Sequence, residues 1–349
     1  MNILIVKLSA IGDVIHTLPA LNAIRNHYPN ANITWLVEED AASLVIGHKA
    51  LDRVIVSKRK RWLKALKSLS LLSTIKDVYG FIKVLRDTRY DMILDFQALL
   101  KSGILIALAR GQRKIGFNKG LEHMEHSYMF LNERIPAIDM EIHALTRGMV
   151  LLNAIGIPTK EIEYKLPVSN DDCEKVDELM KRHDINGVKF LIAINPVAKW
   201  ESKLWPKERF ARLADMIIDE YDARIIFTGG SEDRHIIQDI MSAMKGRALN
   251  LAGHTTLKML AALYEKTVLV ISTDTGPMHL AAAMETPVVA IFGPTAPWRT
   301  GPYGSGHRVV RADPECSPCF KRQCETIDCM HQISEDQVMA EVRSVMERK

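Results

Sequence analysis

One segment constrains this chain more than any other. Thr267–Ile271 is a short β-branched run. It is followed by the polar turn Ser272-Thr273-Asp274-Thr275-Gly276-Pro277, an Ala-rich stretch through Met278, His279 and Ala283, and a second apolar run, Val288–Phe292, ending in Gly293-Pro294-Thr295. This pattern predicts a strand-loop-helix-strand unit. In an open parallel sheet, ligands bind in the crevice at the carboxyl ends of the strands, which is where this turn falls. A helix start presents unpaired N–H groups and a positive dipole end, so Thr275, Gly276 and Met278 suit an anion such as a diphosphate, with Asp274 facing whatever is attached to it. The same residues are also ordinary capping chemistry, with Asp or Thr as the cap and Pro in the first turn. Taken alone, the turn leaves both roles open.

The chain has 349 residues, enough for two domains of about 150 each that both bury a core. A hydrophobic share of 47% and a charged share of 25% belong to a globular protein rather than a disordered or fibrous one. The net charge of +4 is too mild for a dedicated nucleic-acid binder, yet it permits local basic patches for phosphorylated partners. Met1–Lys7 lacks a basic leader pattern and is soon broken by Gly12-Asp13, so it reads as a strand rather than a secretory signal. No apolar run approaches the roughly 18 residues of a membrane span. These features together predict a cytoplasmic protein.

The first half alternates strand and helix patterns: Ile3–Leu8, a helix over Val14–Tyr28, Ile33–Val37, Val54–Ser57, a long helical stretch over Trp62–Arg89, and Met92–Asp95. Near-continuous apolar strands separated by amphipathic helices imply a parallel sheet covered on both faces. A helix over His143–Ile155 stops at Gly156-Ile157-Pro158, and Glu161–Pro167 reads as a linker, so a first domain is expected over residues 1–165. The second half repeats the alternation over residues 166–330, with Val288–Phe292 expected to close its sheet. Ser334 and Gln337 stand in capping-box spacing ahead of a terminal helix within 331–349. The expected fold class is α/β, two doubly wound Rossmann-like domains facing across a cleft.

Chemistry-bearing residues follow the strand ends. The turn Ser9-Ala10-Ile11-Gly12-Asp13 has one glycine where a dinucleotide fingerprint has three, which disfavours a nicotinamide or flavin site and with it a dehydrogenase. Asp13 instead brings a carboxylate suited to take a proton from a hydroxyl nucleophile; capping the next helix is its alternative role. His16 reads as a helix histidine. Lys203, just before a helix opening Trp205-Pro206, would neutralise charge on a departing diphosphate, although loop lysines are commonly only solvated. After Thr228-Gly229-Gly230, Glu232 is placed to accept hydrogen bonds from ribose hydroxyls, or to serve as a first-turn acid favoured by the helix dipole.

Four ordered motifs then carry a resemblance that spans nearly the whole chain. Lys7-Leu8-Ser9-Ala10-Ile11-Gly12-Asp13-Val14-Ile15-His16-Thr17-Leu18-Pro19-Ala20, Asp95-Phe96-Gln97-Ala98-Leu99-Leu100-Lys101-Ser102, Lys203-Leu204-Trp205-Pro206, and Ser272–His279 with Phe292–Thr295 resemble glycosyltransferase family nine, the ADP-heptose:lipopolysaccharide heptosyltransferases. The resemblance implies a GT-B fold, an ADP-heptose donor held by the second domain, and an inverting transfer that needs no metal or other cofactor. It implies Asp13 as general base, Lys203 as leaving-group lysine, Glu232 as adenosine-binding acid, and Asp274, Thr275, Gly276, Pro277, Met278 and His279 as the segment holding sugar and diphosphate. The departure from the family pattern is Asn195-Pro196-Val197-Ala198, where many relatives carry a small glycine-containing loop.

Two further segments bear on partners. Lys58–Lys67 is strongly basic and opens an amphipathic stretch with Trp62, Leu63, Leu66 and Leu69 at helical spacing. It suits a phosphorylated glycolipid or the anionic cytoplasmic face of the inner membrane, or is simply a solvated charged face. Its position is similar to the acceptor-binding segment of the family's first enzyme, which acts on Kdo-lipid A. The resemblance thus places acceptor binding on Arg59, Lys60, Arg61, Lys64, Gln97 and Lys101. Cys316, Cys319, Cys324 and Cys329 fall within fourteen residues; they suit one structural zinc ion or an iron–sulfur cluster, or remain free thiols. The resulting expectation is transfer of L-glycero-D-manno-heptose from ADP-heptose to Kdo-lipid A. The alternatives are the second heptosyltransferase of the core, another family-nine transferase, and a non-catalytic nucleotide-sugar or glycolipid-binding protein.

Overall fold

A computed structural model describes residues 1–65, 71–120 and 125–348. The chain divides into two compact units, Met1–Pro167 and Val168 onward. In the first, six strands form one parallel sheet: β1 (Asn2–Val6), β2 (Asn32–Glu38), β3 (Arg53–Ser57), β4 (Arg89–Asp95), β5 (Arg110–Phe117) and β6 (Glu133–Ile135), in the order β3-β2-β1-β4-β5-β6. In the second, β7 (Leu191–Asn195), β8 (Arg224–Phe227), β9 (Ala248–Asn250), β10 (Leu269–Thr273), β11 (Val288–Phe292) and β12 (Arg308–Arg311) lie in the order β12-β11-β10-β7-β8-β9.

The two orders are the same doubly wound plan. In each, the chain reverses its direction of travel across the sheet between the first and fourth strands of its set, β1 beside β4 and β7 beside β10. Loops leaving those two strands diverge, and a crevice opens at their carboxyl ends. The central strands are apolar along their whole length because both faces are covered: Ile3–Val6, Leu269–Ile271 and Val288–Val289 are fully buried. Helix Ile11–His27 is buried nearly all round, which is why its sequence lacks a clear polar stripe.

Three expectations need correction. The stretch Trp62–Arg89 is two helices, Arg59–Ala65 and Leu71–Arg86; Leu66, Lys67 and Leu69 of the expected amphipathic face lie outside the described residues. Val288–Phe292 does not close the second sheet, because β12 pairs along its outer edge. Arg308-Val309-Val310-Arg311 is a short edge strand with little apolar signal. The terminal helix Glu335–Met346 is capped by Ser334 as expected, but it is part of the second unit's core: Val338, Met339, Val342, Val345 and Met346 pack in one cluster with Ile192, Phe210 and Ile291.

Trp35, fully buried in β2, donates its indole N–H to the carbonyl of Lys7 at 3.0 Å and so fixes the residue that leaves β1. Replacing it by Phe removes volume and strands that carbonyl. Trp35→Phe is expected to lower unfolding stability by about 2–4 kcal/mol in urea titration. A loss below about 1 kcal/mol would show that the carbonyl finds another donor.

Candidate functional site

At the first switch point, three strand ends are tied together by backbone hydrogen bonds: Lys7 N–H to Leu36 O, Glu38 N–H to Leu8 O and Phe96 N–H to Val6 O. Helix Ile11–His27 starts immediately beyond. Asp13, in its first turn, accepts the Ala10 N–H through Oδ2 at 2.9 Å, while Lys7 Nζ stands 3.9 Å from Oδ1. The carboxylate thus caps the helix with one oxygen and keeps the other beside an ammonium, with the side chain 42% exposed. The capping role and the proton-accepting role, alternatives in the sequence, are compatible in the structure because a carboxylate has two oxygens.

Asp13, Lys7, Thr17, Gln97, Phe117 and Arg147 line a cavity of about 250 Å³. Gln97 reaches it from the loop after β4. Its side-chain oxygen accepts the N–H groups of Leu8 (2.8 Å) and Ser9 (3.0 Å), so part of its function is to lace that loop to the end of β1. Asp95 holds the loop from below by accepting the N–H groups of Gln97 and Ala98, and burial pushes its carboxyl above the usual carboxylate range. Lys101 donates to Ser9 Oγ at 2.5 Å and pairs with Glu38 at 3.1 Å; Arg59 pairs with the same Glu38 oxygen at 3.1 Å. Lys60 pairs with Asp40, and Arg61 and Lys64 are exposed on a helix with no buried residue. His16 is buried with its ring edge-on to His143, a packing role. Glu38 and Arg147 escaped sequence reasoning because no local pattern marks them, and Lys7 opens the first motif without a role assigned to it.

At the second switch point, Asn195 ends β7 fully buried, donating to Thr228 O at 3.0 Å and Thr228 Oγ1 at 3.3 Å. The loop beyond it reaches back to the sheet, with Val197 O accepting from Thr273 Oγ1 at 3.0 Å. It then carries Lys203 to Asp274: Nζ lies 2.6 Å from Oδ2, the two side chains being 15% and 6% exposed. Thr295 Oγ1, from the loop after β11, donates to the same oxygen at 2.6 Å. The Lys203 ammonium also sits 4.4 Å from the centre of the Trp200 ring. Three loops therefore converge on one nearly buried carboxylate.

Helix Gly276–Ala283 begins here, with Thr275 as its N-cap residue and Pro277 in its first turn, and no side chain caps it. Asp274, the obvious candidate cap, is instead engaged by Lys203 and Thr295. The first-turn amides of Thr275 and Gly276 have no intrahelical acceptor and are the donors available to an anion. Met278 is not one of them: its N–H bonds to Thr275 O at 3.1 Å and its side chain is fully buried. His279 is likewise buried, so both side chains pack the helix onto the sheet. Glu232 lies exposed in the short turn after β8, where an added Cβ on Gly230 would come within 2.6 Å of Glu232 Oε2. Glycine at that position makes room for the acid.

The cysteine segment takes a different role from the metal knot entertained for it. Cys316, Cys319, Cys324 and Cys329 are free thiols, and among the described residues no group of three or more His, Cys, Asp or Glu side chains is placed to hold a metal. Backbone anchoring shapes the segment: Cys319 and Phe320 N–H donate to Pro294 O, Ser317 Oγ to Gly293 O, and Ser202 Oγ to Lys321 O at 2.6 Å. The thiols differ in exposure, with Cys329 buried against Gly293 and Met330 while Cys316 and Cys324 face solvent. The segment braces the loops that carry Lys203 and Thr295.

Comparison with known proteins was made on sequence and on fold. Residues 78–329 match the model of glycosyltransferase family 9 (heptosyltransferase). Lipopolysaccharide heptosyltransferase 1 of Pseudomonas aeruginosa is 30% identical over 330 residues, covering 93% of this chain and 87% of that protein. The lipopolysaccharide core heptosyltransferase OpsX of Haemophilus influenzae is 29% identical over 308 residues, covering 88% and 83%. The solved structure of the E. coli heptosyltransferase WaaC with ADP superimposes with a TM-score of 0.80 at 26% identity, covering 99% of this chain and 100% of that one. The α/β fold is that of GT-B heptosyltransferases.

Two measurements test this geometry. Lys203→Ala leaves the Asp274 carboxylate buried without its cation, so stability should fall by about 3–5 kcal/mol, read by chemical denaturation; a drop under about 1 kcal/mol would mean that water replaces the ammonium. Alkylation followed by peptide mass spectrometry should modify Cys324 first and Cys329 last. Backbone N–H groups of Ile327 and Thr326 hold the Cys324 thiol below its usual range, whereas burial, together with the neighbouring thiols, pushes Cys329 up to about 11. Equal rates at the two thiols would contradict the assigned environments.

Proposed function

The chain belongs to glycosyltransferase family 9, the heptosyltransferases, and from that premise we propose that it transfers L-glycero-D-manno-heptose from ADP-heptose to the Kdo-lipid A inner core. The observation that carries this reading is the Lys203–Asp274 pair beside an uncapped helix start at the switch point of the second sheet. Several relatives bear the name lipopolysaccharide heptosyltransferase 1, which favours the first transfer of the core over the second.

The second unit holds the donor. Amides of Thr275 and Gly276 take the diphosphate, Glu232 the ribose hydroxyls, and Asp274 the sugar. The first unit supplies acceptor and base. Asp13 removes the proton of the acceptor hydroxyl through its solvent-facing oxygen as that hydroxyl attacks the anomeric carbon, and the bond to the ADP oxygen breaks on the opposite face. Lys203 and the helix amides then neutralise the charge gathered on the departing diphosphate, the task a metal ion performs in other nucleotide-sugar transferases. Arg59, Lys60, Arg61, Lys64, Gln97 and Lys101 form the acceptor side. The exposed basic helix Arg59–Ala65, with Leu63 half exposed, suits peripheral contact with an anionic membrane surface at the cytoplasmic face. Among the described residues no helix is long and apolar enough to cross a membrane.

Incubation with ADP-heptose and Kdo-lipid A is expected to release ADP and yield the monoheptosylated acceptor. Turnover only on an acceptor that already bears a heptose would assign the second transfer instead, and ADP binding without donor consumption would make the protein a binding module. Asp13→Ala should lower kcat by about 10²–10⁴-fold while ADP affinity, read by calorimetry, stays within about two-fold. Residual turnover near wild type would remove Asp13 from the role of base.

A further inference from the structure

Glu38 is the last residue of β2, and its carboxylate is 97% buried, with a side-chain exposure of 3%. Burying a charge is unfavourable unless it is paired, and the usual solution uses both oxygens. Even two exposed pairs of the same unit use both oxygens: Arg53 takes both of Asp87, and Arg113 both of Glu133. Glu38 is different. Oε1 accepts from both Lys101 Nζ and Arg59 Nε at 3.1 Å, whereas Oε2 is buried with no hydrogen-bond partner.

One carboxylate charge thus holds two cations from separate elements, the helix Leu100–Leu108 and the helix Arg59–Ala65, leaving the trio with a net charge of about +1. Neither cation is sealed off: Lys101 is 18% exposed and Arg59 36% exposed. Lys101 also donates to Ser9 Oγ, on the turn that leads into Asp13. An arrangement made only for stability would satisfy Oε2 and balance the charge. This one fixes two accessible cations at a set spacing beside the base, which is what recognition of an oxyanion requires.

We propose that Glu38 is a positioning residue that holds Lys101 and Arg59 as a cradle for an oxyanion of the acceptor. The proposal rests on the transferase reading above. The oxyanion is a phosphate or a sugar carboxylate, chemistries that a lysine and an arginine set side by side bind alike. Glu38 itself touches no substrate. It aims the two cations and lowers the repulsion between them, so that they stand ready before the acceptor arrives.

The test is steady-state kinetics with donor and acceptor varied separately. Glu38→Gln should raise the acceptor KM about ten-fold, with donor KM unchanged and kcat within about two-fold. Because Glu38 acts through the cations, Glu38→Gln added to Lys101→Ala should cost little beyond Lys101→Ala alone. Multiplicative effects, or proportional loss in every parameter, would overturn the proposal in favour of a purely structural role. Acceptor stripped of phosphate and acceptor with its carboxylate esterified distinguish the source of the oxyanion: the penalty of Glu38→Gln should vanish for one of them, and persistence with both would overturn the cradle. If Glu38→Gln folds poorly, Arg59→Lys and Lys101→Gln carry the test, and an unchanged acceptor KM in both would likewise overturn it. Acceptor binding measured without donor separates the two readings. Binding that weakens in Glu38→Gln while wild type transfers no heptose would refute the transferase reading alone, whereas transfer with an unaltered acceptor KM would refute only the role of Glu38.

Discussion

Lys203 and Asp274 form the interaction on which the strand-end loops of the second unit depend. A carboxylate only 6% exposed requires a cation, and the cation arrives on a loop from a different strand. The pair therefore fixes the distance between the loops after β7 and β10, and Thr295 adds the loop after β11 through the same oxygen. With Asp274 so engaged, nothing caps the helix that begins at Gly276, and its first amides remain available for an anion. One buried contact thus links sheet topology, loop geometry and anion affinity.

The cysteine-bearing segment extends that arrangement outward. Its backbone ties Ser202, the neighbour of Lys203, to Lys321, and ties Gly293 and Pro294, the residues before Thr295, to Ser317, Cys319 and Phe320. Aromatic and cationic side chains reinforce the same seams: Arg322 lies over Trp200, on the ring that also meets Lys203, and Arg299 lies over Phe320. In the first unit, hydrogen bonding and ion pairing together do what the Lys203–Asp274 pair does in the second. Gln97 laces the loop after β4 to the end of β1, Asp95 supports that loop, and Glu38 gathers cations from two helices. Both units place buried polar side chains beneath their strand ends and leave the groups above them accessible.

Much of the fold was legible in the sequence because parallel strands covered on both faces are written as apolar runs and their helices as periodic ones. The bounds expected for β1, β2, β3, β10 and β11 lie within two residues of those observed, and β4 begins three residues earlier than its apolar run. The strands that were missed lie toward the sheet edges. β5, Arg110-Gly111-Gln112-Arg113-Lys114-Ile115-Gly116-Phe117, is polar for most of its length because it is buried only at its carboxyl end, and β12 is two valines between two arginines. Edge strands lose the continuous apolar signature along with the second covering layer.

The residues Asp13, Lys203, Glu232 and Asp274 were named from their positions at strand ends, which sequence order alone determines. What those side chains touch was decided by tertiary structure. Whether Asp274 caps a helix or holds a lysine depends on a loop about seventy residues earlier, and how the cysteine segment is anchored depends on backbone acceptors at Gly293 and Pro294. Glu38 gave no local sign at all, since its partners come from segments brought to it only by the parallel order of β2, β1 and β4. Periodicity is a local property and survives in one dimension; pairing of charges is set by distance, and distance between remote residues exists only after the sheets have formed.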